Sequence, residues 1–142
     1  MPSQLQSPEV QAFATGFPVT LLHAGVTLVM LILGTTLYAL LTPHKEITLI
    51  REGNSAAALS LGGVLVGLAI PLAISLTAST SVIEIMIWGA ATIAVQLLVF
   101  RVTDMVLKGL PERIHEGEIS AAALLVGAKL ATALILAAAV AG

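Results

Sequence analysis

Four apolar stretches, at 17–41, 55–78, 82–100 and 120–141, constrain this 142-residue chain more than any other feature. Each has about the twenty residues that a helix needs to cross the hydrocarbon of a bilayer. Across all four, only Glu84 and Lys129 carry a formal charge. Lipid offers no hydrogen bonds to backbone groups, so a spanning chain is helical or a closed barrel. Continuous Ala- and Leu-rich runs lack the alternation of barrel strands. The expectation is an all-α polytopic membrane protein with four transmembrane helices. At 58% hydrophobic and 10% charged residues, the chain forms one membrane domain with little mass outside it. The absence of cysteine excludes disulfides, thiol chemistry and iron–sulfur ligation.

Residues 1–16 have neither the basic region nor the apolar run of a signal peptide. Ser7-Pro8-Glu9 reads as a helix start, with Ser7 as the cap and Pro8 in the first turn. A short amphipathic piece on the outer surface is expected here, ahead of the first span.

The charges are sorted by loop. Five of the six basic residues lie in two connections: Lys45 and Arg51 after the first span, and Arg101, Lys108 and Arg113 after the third. The N-terminal tail and the 79–81 link carry no Lys or Arg. Short loops rich in Lys and Arg stay in the cytoplasm, so 42–54 and 101–119 are expected there and both termini outside. Topology accounts for these basic residues, and no nucleic-acid partner is implied.

Displacing the chain by 64 residues superposes its halves. Ile50/Ile114, Glu52/Glu116, Gly53/Gly117, Ala57/Ala121, Ala58/Ala122, Leu61/Leu125 and Gly63/Gly127 coincide, seven of the fourteen positions from 50 to 63. Each half holds two spans, so the halves share one orientation, as parallel repeats about an axis along the membrane normal. The repeats are assigned to 17–78 and 82–141. The two basic connections read as two versions of one elbow. Thr42-Pro43 and Leu110-Pro111 each introduce a short helical turn, and Gly53 and Gly117 permit a sharp reversal. Asn54 then caps the second span.

Thr42-Pro43-His44, Leu49-Ile50, Asn54, Ala56-Ala57, Gly67 and Ile70-Pro71-Leu72 continue into Trp88-Gly89 and Gln96-Leu97-Leu98-Val99-Phe100. On these residues the chain resembles the YjfL-like bacterial inner-membrane proteins, grouped as domain of unknown function 350. The resemblance runs from about Leu41 to the C-terminus. It implies four spans arranged as two helix pairs in a bacterial inner membrane, and it implies no activity. Lys129 departs from the small or apolar residue implied at its position.

The second span carries Ser60, Gly63, Gly67, Pro71 and Ser75 on one face. Gly63-x-x-x-Gly67 admits close approach of a neighbouring helix, with Gly127-x-x-x-Ala131 as its counterpart in the second half. Packing of the halves on each other or on another copy is the plain reading; a pore lined by small residues is the functional one. Pro71 removes one backbone bond, and a kink is expected there. In the first span Thr20, His23, Thr27, Gly34 and Tyr38 share a narrow face, read as a helix seam or as a proton relay. A cofactor ligated by His23 lacks a second intramembrane His, so none is expected. In the third span Glu84, near the outer headgroups, precedes Trp88, Thr92 and Gln96 on one row. Glu84 should share its depth with His23, and Gln96 with Lys129.

Lys129 costs roughly 2.5–3.5 kcal/mol at mid-helix, so it requires a partner or a function. It points nearly opposite Gly127 and Ala131, which sets it outside that small-residue seam. Gln96 and an extended Glu84 are its expected partners within the chain; otherwise another subunit supplies one. His44, Glu46, His115, Glu116 and Glu118 are read as a solvated surface, with no metal expected. No nucleophile–base grouping, phosphate loop or HExxH helix is present. The leading expectation is a non-enzymatic packing module, as a homo-oligomer or an accessory subunit, whose partners are the lipid bilayer, itself or other integral membrane subunits. The alternative is a small channel or transporter for an ion, proton or small solute, lined by Thr20, His23, Thr27, Glu84, Gln96 and Lys129.

Overall fold

The structure, a computed structural model, describes residues 7–42, 46–107 and 109–142. Pro43, His44, Lys45 and Lys108 therefore lie outside the described residues, as do residues 1–6. The described chain is helical: α1 (Pro8–Leu41), α2 (Glu46–Arg51), α3 (Ser55–Ala78), α4 (Val82–Val106), α5 (Leu110–His115) and α6 (Ile119–Ala141). α1, α3, α4 and α6 are each long and apolar enough to cross a membrane. Their many exposed Leu, Ile and Val side chains are what a lipid-facing surface demands, because lipid replaces water as the solvent there.

The helix starts follow capping chemistry. Ser7 accepts from the Val10 amide, Asn54 from Ala57 and Ser81 from Glu84. Each satisfies one of the amides that a first turn leaves without an intrahelical partner. Glu84 adds a second tie, accepting from the Thr80 amide at 3.0 Å. α1 continues from Pro8 into the span as one 34-residue helix, so residues 8–16 do not form a separate surface piece. At 1.5 Å per residue it is about 51 Å long. Every residue from 8 to 22 is exposed, and its buried residues are Gly34 and Tyr38. The elements pack on its second half.

α3 is the hub: it forms the most extensive interface of the fold with α6 and also packs on α1 and α4. Its glycines set the closeness of two of these contacts. A Cβ on Gly63 would stand 2.5 Å from Val126 Cγ2, and one on Gly67 2.6 Å from Phe100 Cζ. Gly63 thus admits α6 and Gly67 admits the Phe100 ring from α4. Pro71 lies buried within α3, whose helix continues through it to Ala78. The face of α6 that meets the bundle is Ala122, Leu125, Lys129, Ala133 and Ala137. Gly127 and Ala131 are exposed, and a Cβ on Gly127 would meet nothing within 4 Å. The small residues that pack α6 are therefore its alanines and not Gly127 and Ala131, and Lys129, pointing opposite those two as expected, shares the alanines' face.

The short helices α2 and α5 fold the chain back at one end of the bundle. Each has six residues and is followed by a turn whose glycine has positive φ, +87° at Gly53 and +88° at Gly117. The amides that follow close the same pattern twice: Gly53 to Ile50 and Asn54 to Leu49, then Gly117 to Ile114 and Glu118 to Arg113, all at 2.9–3.0 Å. Such turns satisfy the last carbonyls of a helix and favour a residue without a Cβ. Asn54 also joins the two elbows, its amide donating to the Ile114 and His115 carbonyls at 3.2 and 3.0 Å. Leu49, Leu110 and Ile114 pack with Ala56, Ala57, Ala121, Ala122 and Leu125 beneath them.

Candidate functional site

Under the first elbow the bundle encloses four polar side chains from four elements. Lys129 of α6 is fully buried, with its Nζ 2.9 Å from Asp104 Oδ1 of α4. That contact is a buried ion pair. The hydrogen bonds run through Tyr38 of α1, whose hydroxyl accepts from Lys129 Nζ and donates to Asp104 Oδ2 at 3.2 Å. A phenol can do both at once. The ammonium also stands 4.7 Å from the Tyr38 ring centre and 5.5 Å from that of Phe100, near enough for the ring faces to attract it. Tyr38 and Phe100 meet edge to face at 6.2 Å.

The direction of the Lys129 side chain follows from helix geometry. Side chains on an α-helix lean toward its N-terminus, and the N-terminus of α6 lies at the elbow end. Lys129 therefore reaches down to Asp104, eight residues beyond Gln96, and leaves Gln96 behind. Asp104 is available because α4 continues to Val106, past Phe100, where the apolar run of the third span ends. The row Gly89, Thr92, Gln96, Phe100 and Asp104 continues one buried face of α4.

Glu46, the first residue of α2, completes the group. Only 6% of it is exposed, so it is part of the interior and not of a solvated surface. Ser60 of α3 donates to its Oε1 at 3.4 Å, while Oε2 has no partner. Burial pushes the Glu46 carboxyl up to about 7; Lys129 opposes the shift and Asp104 adds to it. A narrow cleft with ≈ 10 Å³ of room, about that of one water, is lined by Tyr38, Thr42, Glu46, Ser60, Asp104 and His115 together with apolar neighbours.

The other polar residues singled out from the sequence do not join this group. Thr20 is exposed and its hydroxyl bonds to the Gly16 carbonyl. Thr27 bonds to the His23 carbonyl at 2.9 Å, and both residues are half-buried. Glu84 is exposed and engaged with Thr80 and Ser81 at the start of α4. No hydrogen bond or ion pair joins His23 to Glu84, or Lys129 to Gln96 or Glu84, among the described residues. Gln96 is fully buried, and neither of its amide atoms finds a protein partner. Glu116 is exposed, and Glu118 pairs with Arg113 in solvent reach. That pairing lowers the Glu118 carboxyl and raises the Arg113 guanidinium. Among the described residues no cluster of His, Cys, Asp or Glu could hold a metal.

Four apolar spans closed over an internal ion pair define a small multi-pass membrane protein. The chain belongs to the family described as Domain of Unknown Function (DUF350), whose model matches residues 12–140. It is 36% identical over 90 residues to the UPF0719 inner membrane protein YjfL of Escherichia coli K12, covering 63% of this chain and 67% of the relative. The corresponding protein of Escherichia coli O157:H7 matches to the same extent. No solved structure matches. The similarity to inner membrane proteins and the four apolar helices together support a multi-pass protein of that membrane, and no catalytic family is indicated.

Proposed function

We propose that the chain is a non-catalytic packing module of the bacterial inner membrane, acting as a homo-oligomer or as an accessory subunit of a larger membrane complex. The observation that carries this reading is the closure of Lys129 within its own chain. Its charge is answered by Asp104 and Tyr38, so it clasps α1, α4 and α6 together and presents no charge outward. Most of the candidate lining of a route lies elsewhere: Thr20 and Glu84 are exposed, and His23 and Thr27 only half-buried. The lipid-facing surface offers apolar relief for a neighbour. One groove of ≈ 660 Å³ between α1 and α4 is lined by Leu21, Gly25, Met30, Leu33, Met86 and Ala90 among others.

The same reading takes the fold as two parallel helix pairs with the elbows in the cytoplasm and both termini periplasmic. Two six-residue helices with matching glycine turns, 64 residues apart, support the pairing. The Lys and Arg of the two connections support the orientation. A small channel or transporter is the alternative, and the partnerless buried amide of Gln96 is the observation on its side. Mass measurement of the protein purified in mild detergent is the test. The module reading expects several copies or a co-purifying membrane subunit; a homogeneous single 14.5 kDa chain with no companion would overturn it.

A further inference from the structure

Among the described residues lining the cleft and paired beside it, Glu46 and Asp104 bring two carboxylates against the one ammonium of Lys129, which is engaged with Asp104 and Tyr38. Glu46 keeps one oxygen without a partner although the residue is more than nine-tenths buried. An isolated carboxylate away from water is unfavourable unless a positive charge answers it. The cleft beside it is lined by oxygen donors from four elements: Tyr38 and Thr42 at the end of α1, Glu46 itself, Ser60 of α3 and Asp104 of α4. Hydroxyl and carboxylate oxygens are the donors that hard cations prefer.

We propose that this cleft binds one monovalent cation, a proton or a sodium ion, on the free oxygen of Glu46, and that the bound charge holds the first elbow against the bundle. Both sources supply the same chemistry, one positive charge on a carboxylate oxygen in a space of about one water. Among the described residues, the titratable and charged groups facing Glu46 are Tyr38 from α1, Asp104 from α4, Lys129 from α6 and His115 of α5 at the cleft wall. α3 contributes the neutral hydroxyl of Ser60. With a proton, Glu46 is neutral and the remaining pair is balanced. With sodium, Glu46 stays ionised and the ion completes the charge. The inference stands whether or not the chain is a packing module, since it concerns the interior of one copy.

The experiment is thermal unfolding of the purified full-length protein in detergent micelles, from pH 5 to pH 8, in sodium chloride and in choline chloride at equal ionic strength. A bound proton gives an unfolding temperature that falls as pH rises, alike in both salts. Bound sodium gives a saturable rise at pH 8 in sodium chloride only. Glu46→Gln should remove whichever response is seen. Glu52→Gln, at an exposed position of the same turn, should keep it. Ser60→Ala reads the site without touching the carboxylate. It should move the proton midpoint to higher pH, because the hydroxyl favours the ionised form, or weaken the sodium response by removing a ligand. Should Glu46→Gln fail to fold, Ser60→Ala decides alone. Responses to pH and sodium that are the same in wild type, Glu46→Gln and Ser60→Ala would overturn the proposal.

Discussion

The first elbow begins with Glu46 and the second with Leu110, at the same position of two six-residue helices that end in the same glycine turn. Both side chains are buried, 6% and 9% exposed. Leu110 packs among Leu49, Ile114 and Leu125 in an apolar cluster, whereas Glu46 sits above Ser60, Asp104 and Lys129. One backbone therefore supports two interiors. The second elbow buries an apolar first residue and is tied by the Asn54 amide to its carbonyls, and the first adds buried charge that the surrounding helices must neutralise. Their difference separates what the turn requires, a glycine and a buried first residue, from what is added to it.

The largest effect should come from breaking the clasp on one side. Lys129→Met leaves Asp104 without its cation, and loss of one partner of a buried pair costs about 3–5 kcal/mol. The double variant Lys129→Met/Asp104→Asn should recover most of that loss in detergent unfolding, because the stranded charge is gone. Equal instability of single and double variants would show that the pair is not the coupling.

The seam of α3 comes next. Gly63→Leu and Gly67→Leu drive atoms into Val126 and Phe100, overpacking that should cost on the order of 1–3 kcal/mol. Gly127→Leu, in open space on the second half, should be tolerated. Equal losses at Gly127 would place a neighbouring copy on that face.

Glu46→Leu makes the first elbow chemically like the second. The folded carboxyl titrates near 7 and the free one near 4.5, so the folded state holds its proton over a wider range. Stability from this group is full below pH about 4.5 and falls as pH rises toward 7. The Leu variant should lack that fall and be more stable than wild type at pH 8 by up to about 3 kcal/mol. At pH 4.5 the two should match closely. A wild-type curve without the fall in choline chloride, where no sodium can answer the carboxylate, would remove the electrostatic distinction between the elbows.

The spans and the caps at Ser7 and Asn54 are legible because each follows from local chemistry: apolar length, an oxygen before a first turn, a side chain that can reach an amide. The need of Lys129 for a partner is legible too, since depth alone demands it. Its partner is not, because hydropathy ends the third span at Phe100 and leaves Asp104 among loop charges. The i+4 row from Gln96 through Phe100 to Asp104, with the lean of Lys129 toward the start of its helix, carries the missing signal. Glu46 is legible only as a polar residue on an amphipathic turn. Its burial depends on how the elbow folds over Ser60, which no local pattern encodes. The match of Gly127 to Gly63 is similarly incomplete: equal spacing does not fix which face of α6 turns inward, and the alanines at 122, 133 and 137 take that role.

As a closed clasp, the charged group of Lys129, Asp104 and Tyr38 forms no part of a route across the membrane. Passage of protons, sodium and potassium into liposomes containing the purified protein tests this most directly, read beside protein-free liposomes and beside the Lys129→Met/Asp104→Asn variant. The clasp predicts that wild type and variant leak no faster than lipid alone. A saturable flux in wild type that the double variant abolishes, with assembly unchanged, would contradict it and make the group a conduction site.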